Sequence, residues 1–109
     1  VHADPTLAAM VRSFIAQRCL WELGYSVVFH SPAEVVQLRN AHSLLLDFQN
    51  EIPGYLHNER IIEILAGTSL KHDVDENLIT CYTALVRANL LPQKELSCVQ
   101  AWIKNIRLV

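Results

Sequence analysis

Ser31-Pro32-Ala33-Glu34-Val35-Val36-Gln37-Leu38-Arg39-Asn40-Ala41-His42-Ser43-Leu44-Leu45-Leu46-Asp47-Phe48-Gln49-Asn50 is the stretch that decides the fold class. Ser31 supplies a side-chain oxygen to the free amides of a helix start. Pro32 is tolerated beside it because its missing N–H would be unpaired there, and Glu34 stands where it can reach back to the cap. Behind that start Val35, Leu38, Ala41, Leu45 and Phe48 recur at three- and four-residue steps. Gln37, Arg39, Asn40, Ser43, Asp47 and Gln49 take most of the other side, which makes the pattern that of an amphipathic helix. Leu44, Leu45 and Leu46 in succession widen the apolar stripe. A widened stripe predicts a helix at the centre of a bundle, or one whose extra face meets a partner.

Upstream, Asp4-Pro5 repeats the cap-then-proline start, and Leu7, Met10, Val11, Phe14, Ile15, Leu20 and Trp21 carry helical spacing up to Gly24, a natural stop. Residues 25–30 include Val27-Val28-Phe29 with no second strand to pair with, so they read as a short extended connector packed by Tyr25 and Phe29. Downstream, Ile52-Pro53-Gly54 predicts a turn, because proline presets one dihedral and glycine accepts positive φ. Asn58 then caps a short helix with Ile61, Ile62, Ile64 and Leu65, closed at Gly67. Asp73 or Asp75 caps a further helix carrying Leu78, Ile79, Tyr82, Leu85 and Val86. Pro92 forces Leu91 out of the helical region, and a last helix carries Leu96, Val99, Trp102, Ile103 and Ile106. The sum is an all-α chain of about five helices, in a mostly antiparallel bundle or a stack of helical hairpins.

The 109 residues make one domain, 1–109, with 18% charged residues, 51% apolar residues and a formal charge of −2. Apolar surface is in surplus, and the weak field argues against nucleic acid or an anionic membrane as partner. The Val1 start and the Ile106-Arg107-Leu108-Val109 finish read as a segment of a larger protein. No run of about 18 apolar residues predicts a membrane span. Cys19, Cys81 and Cys98 are an odd, widely spaced set inside apolar patterns, and read as buried thiols of an intracellular protein, cytoplasmic or nuclear.

No site chemistry is spelled out. His2, His30, His42, His57 and His72 share no ligand spacing with one another, so no metal or other cofactor is expected. Gly24, Gly54 and Gly67 are too scattered for a phosphate or oxyanion loop, and a Cys–His nucleophile would need thiols outside the apolar faces. Asp73-Val74-Asp75-Glu76-Asn77 imitates a calcium loop but has Leu78 where glycine belongs and Ala84 where the bidentate glutamate belongs. Glu59 to Leu91 has the proportions of a helix-turn-helix, yet Asp73, Asp75 and Glu76 at the start of its second helix would repel a phosphate backbone. Trp21 and Trp102 read as core anchors between helices.

The stretch Cys81-Tyr82-Thr83-Ala84-Leu85-Val86-Arg87-Ala88-Asn89-Leu90-Leu91-Pro92, followed by another apolar helix, resembles HEAT-type helical-repeat scaffolds over less than a third of the chain. The resemblance carries no functional residue. The functional expectation is therefore a non-enzymatic interaction or scaffold module, presenting an apolar groove to a helix or peptide of another protein or to a second copy of itself. Leu44, Leu46 and Phe48 would line it, with Trp102 and Ile106 as a second set. The alternatives are a helix-turn-helix-like, transcription-linked domain and a small Cys/His enzyme.

Overall fold

A computed structural model describes residues 5–31 and 44–108. Among them the chain is all-α, with four helices and no strand: α1 (Pro5–Glu22), α2 (Leu44–Gly67), α3 (Val74–Arg87) and α4 (Gln93–Arg107). The helix start at Pro32 and Glu34, the residues up to Ser43, and Asp4, His2 and His42 lie outside the described residues.

α1 buries Ala8, Val11, Ile15 and Cys19, a three- and four-residue ladder that turns one face of the helix inward. It ends as Gly24 predicted. Gly24 adopts φ +85, its amide donates to the Trp21 carbonyl at 3.0 Å, and the Tyr25 amide donates to the Leu20 carbonyl at 2.9 Å. These two bonds are the pair of a Schellman motif. α3 closes in the same way with Asn89 in place of glycine, at φ 60. There the Leu90 amide reaches the Leu85 carbonyl at 2.9 Å and the Asn89 amide reaches Val86 at 3.0 Å. At its start Asp73 is extended, and its carboxylate accepts from the Asp75 amide at 3.0 Å.

Two expectations about the middle of the chain are corrected. Ile52-Pro53-Gly54 is not a turn, since α2 runs through it unbroken to Gly67. Pro53 forfeits one backbone bond and crowds the Gln49 carbonyl, at a cost of about 3 kcal/mol. Continued bonding on both sides and burial of Gly54, Ile61 and Leu65 outweigh that cost, which is why four helices stand where about five were expected. Nor is the stretch around Leu44 to Phe48 the centre of the bundle. Leu44, Leu45, Leu46 and Phe48 are all exposed, and α2 is anchored by its C-terminal half.

The centre is α3, which packs on α1, α2 and α4. Cys81, Tyr82 and Leu85 of α3 meet Val11, Ile15 and Cys19 of α1 and Ile61 and Leu65 of α2 in one core, which Leu90, Leu91 and Leu96 close at the α3–α4 corner. Arg18 locks the C-terminal ends of α1 and α2 together. Its Nε donates to the Leu65 carbonyl at 2.9 Å and its Nη2 to the Thr68 carbonyl at 3.1 Å, while Nη1 pairs with Glu22. A guanidinium at that place adds charge-assisted bonds to carbonyls at and just beyond the C-terminus of α2, the end that favours a cation. Residues 25–30 form no regular element, but Tyr25 and Phe29 do not pack them down; Phe29 is 96% exposed.

Candidate functional site

The middle of α1, the middle of α3 and one face of α4 leave an open groove of about 530 Å³. Its wall on α4 is Glu95, Cys98, Val99 and Trp102, residues that fall on one helix face at three- and four-residue steps. Leu78 and Tyr82, one turn apart on α3, form the floor, and Arg12 of α1 closes the far rim. Leu96 and Ile103, on the adjacent face of α4, are buried and anchor the helix beside the groove. The Arg107 Nε bond to Asp75 Oδ2, at 2.8 Å, fastens its end to the start of α3.

Charge sits at the rim. Arg12 Nη2 and Glu95 Oε2 stand 3.9 Å apart across the groove, a loose pair that contributes little to stability and keeps donors and acceptors directed at a common space. Tyr82 is buried, and burial pushes its phenol above the ordinary tyrosine range, the nearby Glu95 carboxylate adding to this and Arg12 opposing it. The phenol therefore stays a neutral donor through the physiological range. Trp102 is 56% exposed, which leaves an indole surface open beside the charged pair. The groove thus joins an aromatic platform, an apolar floor and two opposite charges, a mostly apolar cleft with a few convergent polar groups.

The residues expected to face a partner do not form one surface. Leu44, Leu46 and Phe48 lie on the exposed N-terminal half of α2, where the rings of Phe48 and Tyr55 meet at a tilt of 37° with centroids 6.3 Å apart. Trp102 and Ile106 lie on α4, which makes no helix contact with α2. Of the five, Trp102 alone lines the groove. Trp21 and Trp102 are not core anchors, since both are exposed, and Trp21 borders a shallow cleft of about 130 Å³ with Phe14 and Ile62. The cysteines divide: Cys19 and Cys81 are buried, whereas Cys98 is exposed at the groove. Arg12, Tyr82 and Glu95 were missed as site residues. The only signal for them was the helical spacing of Glu95, Cys98 and Trp102, which places unlike chemistries on one face.

His30, His57 and His72 are exposed and apart. Among the described residues no group of three or more His, Cys, Asp or Glu is placed to hold a metal ion, and no helix is long and apolar enough to cross a membrane.

The model of the STELLO glycosyltransferases matches residues 7–109. The chain belongs to that family. Comparisons with curated proteins and with solved structures gave no match. Membership in a STELLO glycosyltransferase family overturns the expectation of a non-enzymatic interaction or scaffold module, and with it the protein-binding reading and the exclusion of an enzyme. That exclusion rested on missing local motifs. A site assembled from several helices spells no short motif, and a helical fold by itself implies no function.

Proposed function

We propose that this chain is a helical part of a glycosyltransferase and that the groove between α1, α3 and α4 receives a saccharide. The observation that carries the reading is the family match over residues 7–109, and the groove supplies the chemistry it calls for. The C–H face of a sugar ring is weakly positive and packs on the electron-rich face of an indole, the role assigned to Trp102. Glu95 accepts from sugar hydroxyls and Arg12 donates to them, both as charge-assisted hydrogen bonds that fix the orientation of the ring. Leu78 and Val99 exclude water from the apolar side. Tyr82 lends a neutral phenol to the floor. The same set would hold a sugar acceptor or the sugar of a donor, and it gives transfer its geometry by positioning one reactant.

Indole fluorescence tests the reading directly. With Trp21→Phe as background, Trp102 is the remaining tryptophan of these 109 residues, and titration of the 109-residue chain with a panel of oligosaccharides is expected to change its emission saturably. Glu95→Gln in that background is expected to weaken the best-bound saccharide about tenfold or more, the loss of one charge-assisted bond. No emission change with any saccharide, or an affinity that Glu95→Gln leaves untouched, would remove the groove from sugar recognition.

A further inference from the structure

Charge separates the two reactants of sugar transfer. A donor carries phosphate on its leaving group, in sugar nucleotides and lipid-linked sugars alike, whereas an acceptor brings a hydroxyl and needs no counter-charge. Resting on the assignment of the groove to a saccharide, we propose that the groove takes the acceptor, an uncharged glycan, and not a phosphate-bearing donor.

Among the described residues lining the groove, Arg12 supplies the cation and Glu95 the carboxylate. Their side chains are unequally exposed, 57% for Arg12 and 21% for Glu95. Water therefore screens the cation more than the anion, and the repulsion felt by an incoming anion outlasts the attraction. With Arg12 Nη2 and Glu95 Oε2 3.9 Å apart, a phosphate that meets Arg12 also meets Glu95. A phosphate oxygen only accepts hydrogen bonds, so it would leave the carboxylate facing further acceptors. A sugar hydroxyl both donates and accepts, and can answer the two together.

The helix ends around the groove add to the same field. Free amides at a helix start attract phosphate, but the start of α3 carries Asp73, Asp75 and Glu76, and the first turn of α4 carries Glu95 itself. The cations beside the start of α3 are already engaged, Arg107 by Asp75 and Lys71 by Glu76. The formal charge of −2 gives an anion no long-range attraction either. An uncharged glycan meets none of these costs and keeps the contact of its C–H face with Trp102.

The indole N–H cross-peak of Trp102 reports on the groove itself, in nitrogen-15-labelled chain carrying Trp21→Phe. It is titrated with neutral hexose oligosaccharides, with uridine diphosphate glucose and with uridine diphosphate. The best neutral oligosaccharide is expected to shift the peak saturably, and both nucleotides to bind at least about tenfold more weakly. Glu95→Gln should narrow or reverse that preference, weakening the neutral ligand about tenfold while uridine diphosphate glucose tightens, because Arg12 is no longer opposed. Arg12→Gln should weaken the neutral ligand and bring the nucleotide no gain. Retained dispersion of the other amide peaks checks the fold of both variants, and if either loses it the wild-type comparison decides. Uridine diphosphate glucose binding as tightly as the best neutral oligosaccharide, and more tightly than uridine diphosphate, would overturn the acceptor assignment while the groove remained a saccharide site. A preference that a folded Glu95→Gln leaves unaltered would overturn its electrostatic basis. No shift with any sugar would overturn the saccharide assignment and the choice of acceptor with it.

Discussion

Asn77 is the polar side chain among the described residues that the core buries, at 1% exposure. Its Oδ1 accepts from the Lys71 amide and its Nδ2 donates to the Lys71 carbonyl, both at 2.8 Å, so one side chain replaces a strand partner for the loop between α2 and α3. Asn77→Asp keeps the acceptor and turns the donor into a second acceptor aimed at a carbonyl. The expected cost is about 2–4 kcal/mol at neutral pH, read as a lower midpoint in urea unfolding. The buried carboxyl's pKa would be raised above its unfolded value of about 3.9. The deficit is therefore full above the raised folded pKa and shrinks as pH falls towards the unfolded one, where protonation restores a donor. A deficit independent of pH would mean the Nδ2 bond is not what holds the loop. Gly24 was legible as a stop, and the cap of α3 as either Asp73 or Asp75, because those signals are local; the structure selects Asp73. Asn77 was not, because its partner is a backbone segment whose position only the tertiary fold defines.

At the scale of the element, α2 departs most from what its sequence suggested. Proline followed by glycine reads as a turn wherever only near neighbours are considered, and here the helix absorbs both. Pro53→Ala restores an amide that can donate to the Gln49 carbonyl and relieves the ring contact. It is expected to raise stability by about 1–2 kcal/mol, less than the full helix-interior penalty because alanine frees the unfolded chain. Thermal melting checks this, and an unchanged or lower Tm would indicate that α2 is bent at Pro53 in a way that its packing requires. α1, α3 and α4 were readable from their apolar steps. A wide stripe at Leu44 to Phe48 allowed either the centre of the bundle or a face turned outward; exposure rules out the first, and the anchoring residues of α2 are Ile61 and Leu65, further along.

For the whole molecule, α3 at the centre sets the placement of its neighbours. It supplies the groove floor through Leu78 and Tyr82, the core through Cys81 and Leu85, and the fastening of α4 through Asp75. An all-α class was legible because each helix carries its own signal. The groove was not, because Arg12, Tyr82 and Glu95 meet only once three helices have packed. The function lay further still from the residues: absence of a motif within 109 residues excludes no chemistry that is assembled in space.

The central claim is that this groove serves sugar transfer, and the direct measurement is steady-state transfer by the intact protein, wild type against Trp102→Ala, with the concentration of each sugar substrate varied in turn. The account predicts that Trp102→Ala raises KM for one of the two substrates about tenfold or more while kcat changes little, the signature of lost binding that ground state and transition state share. Transfer by the wild type with both KM values and kcat unmoved in Trp102→Ala would contradict it.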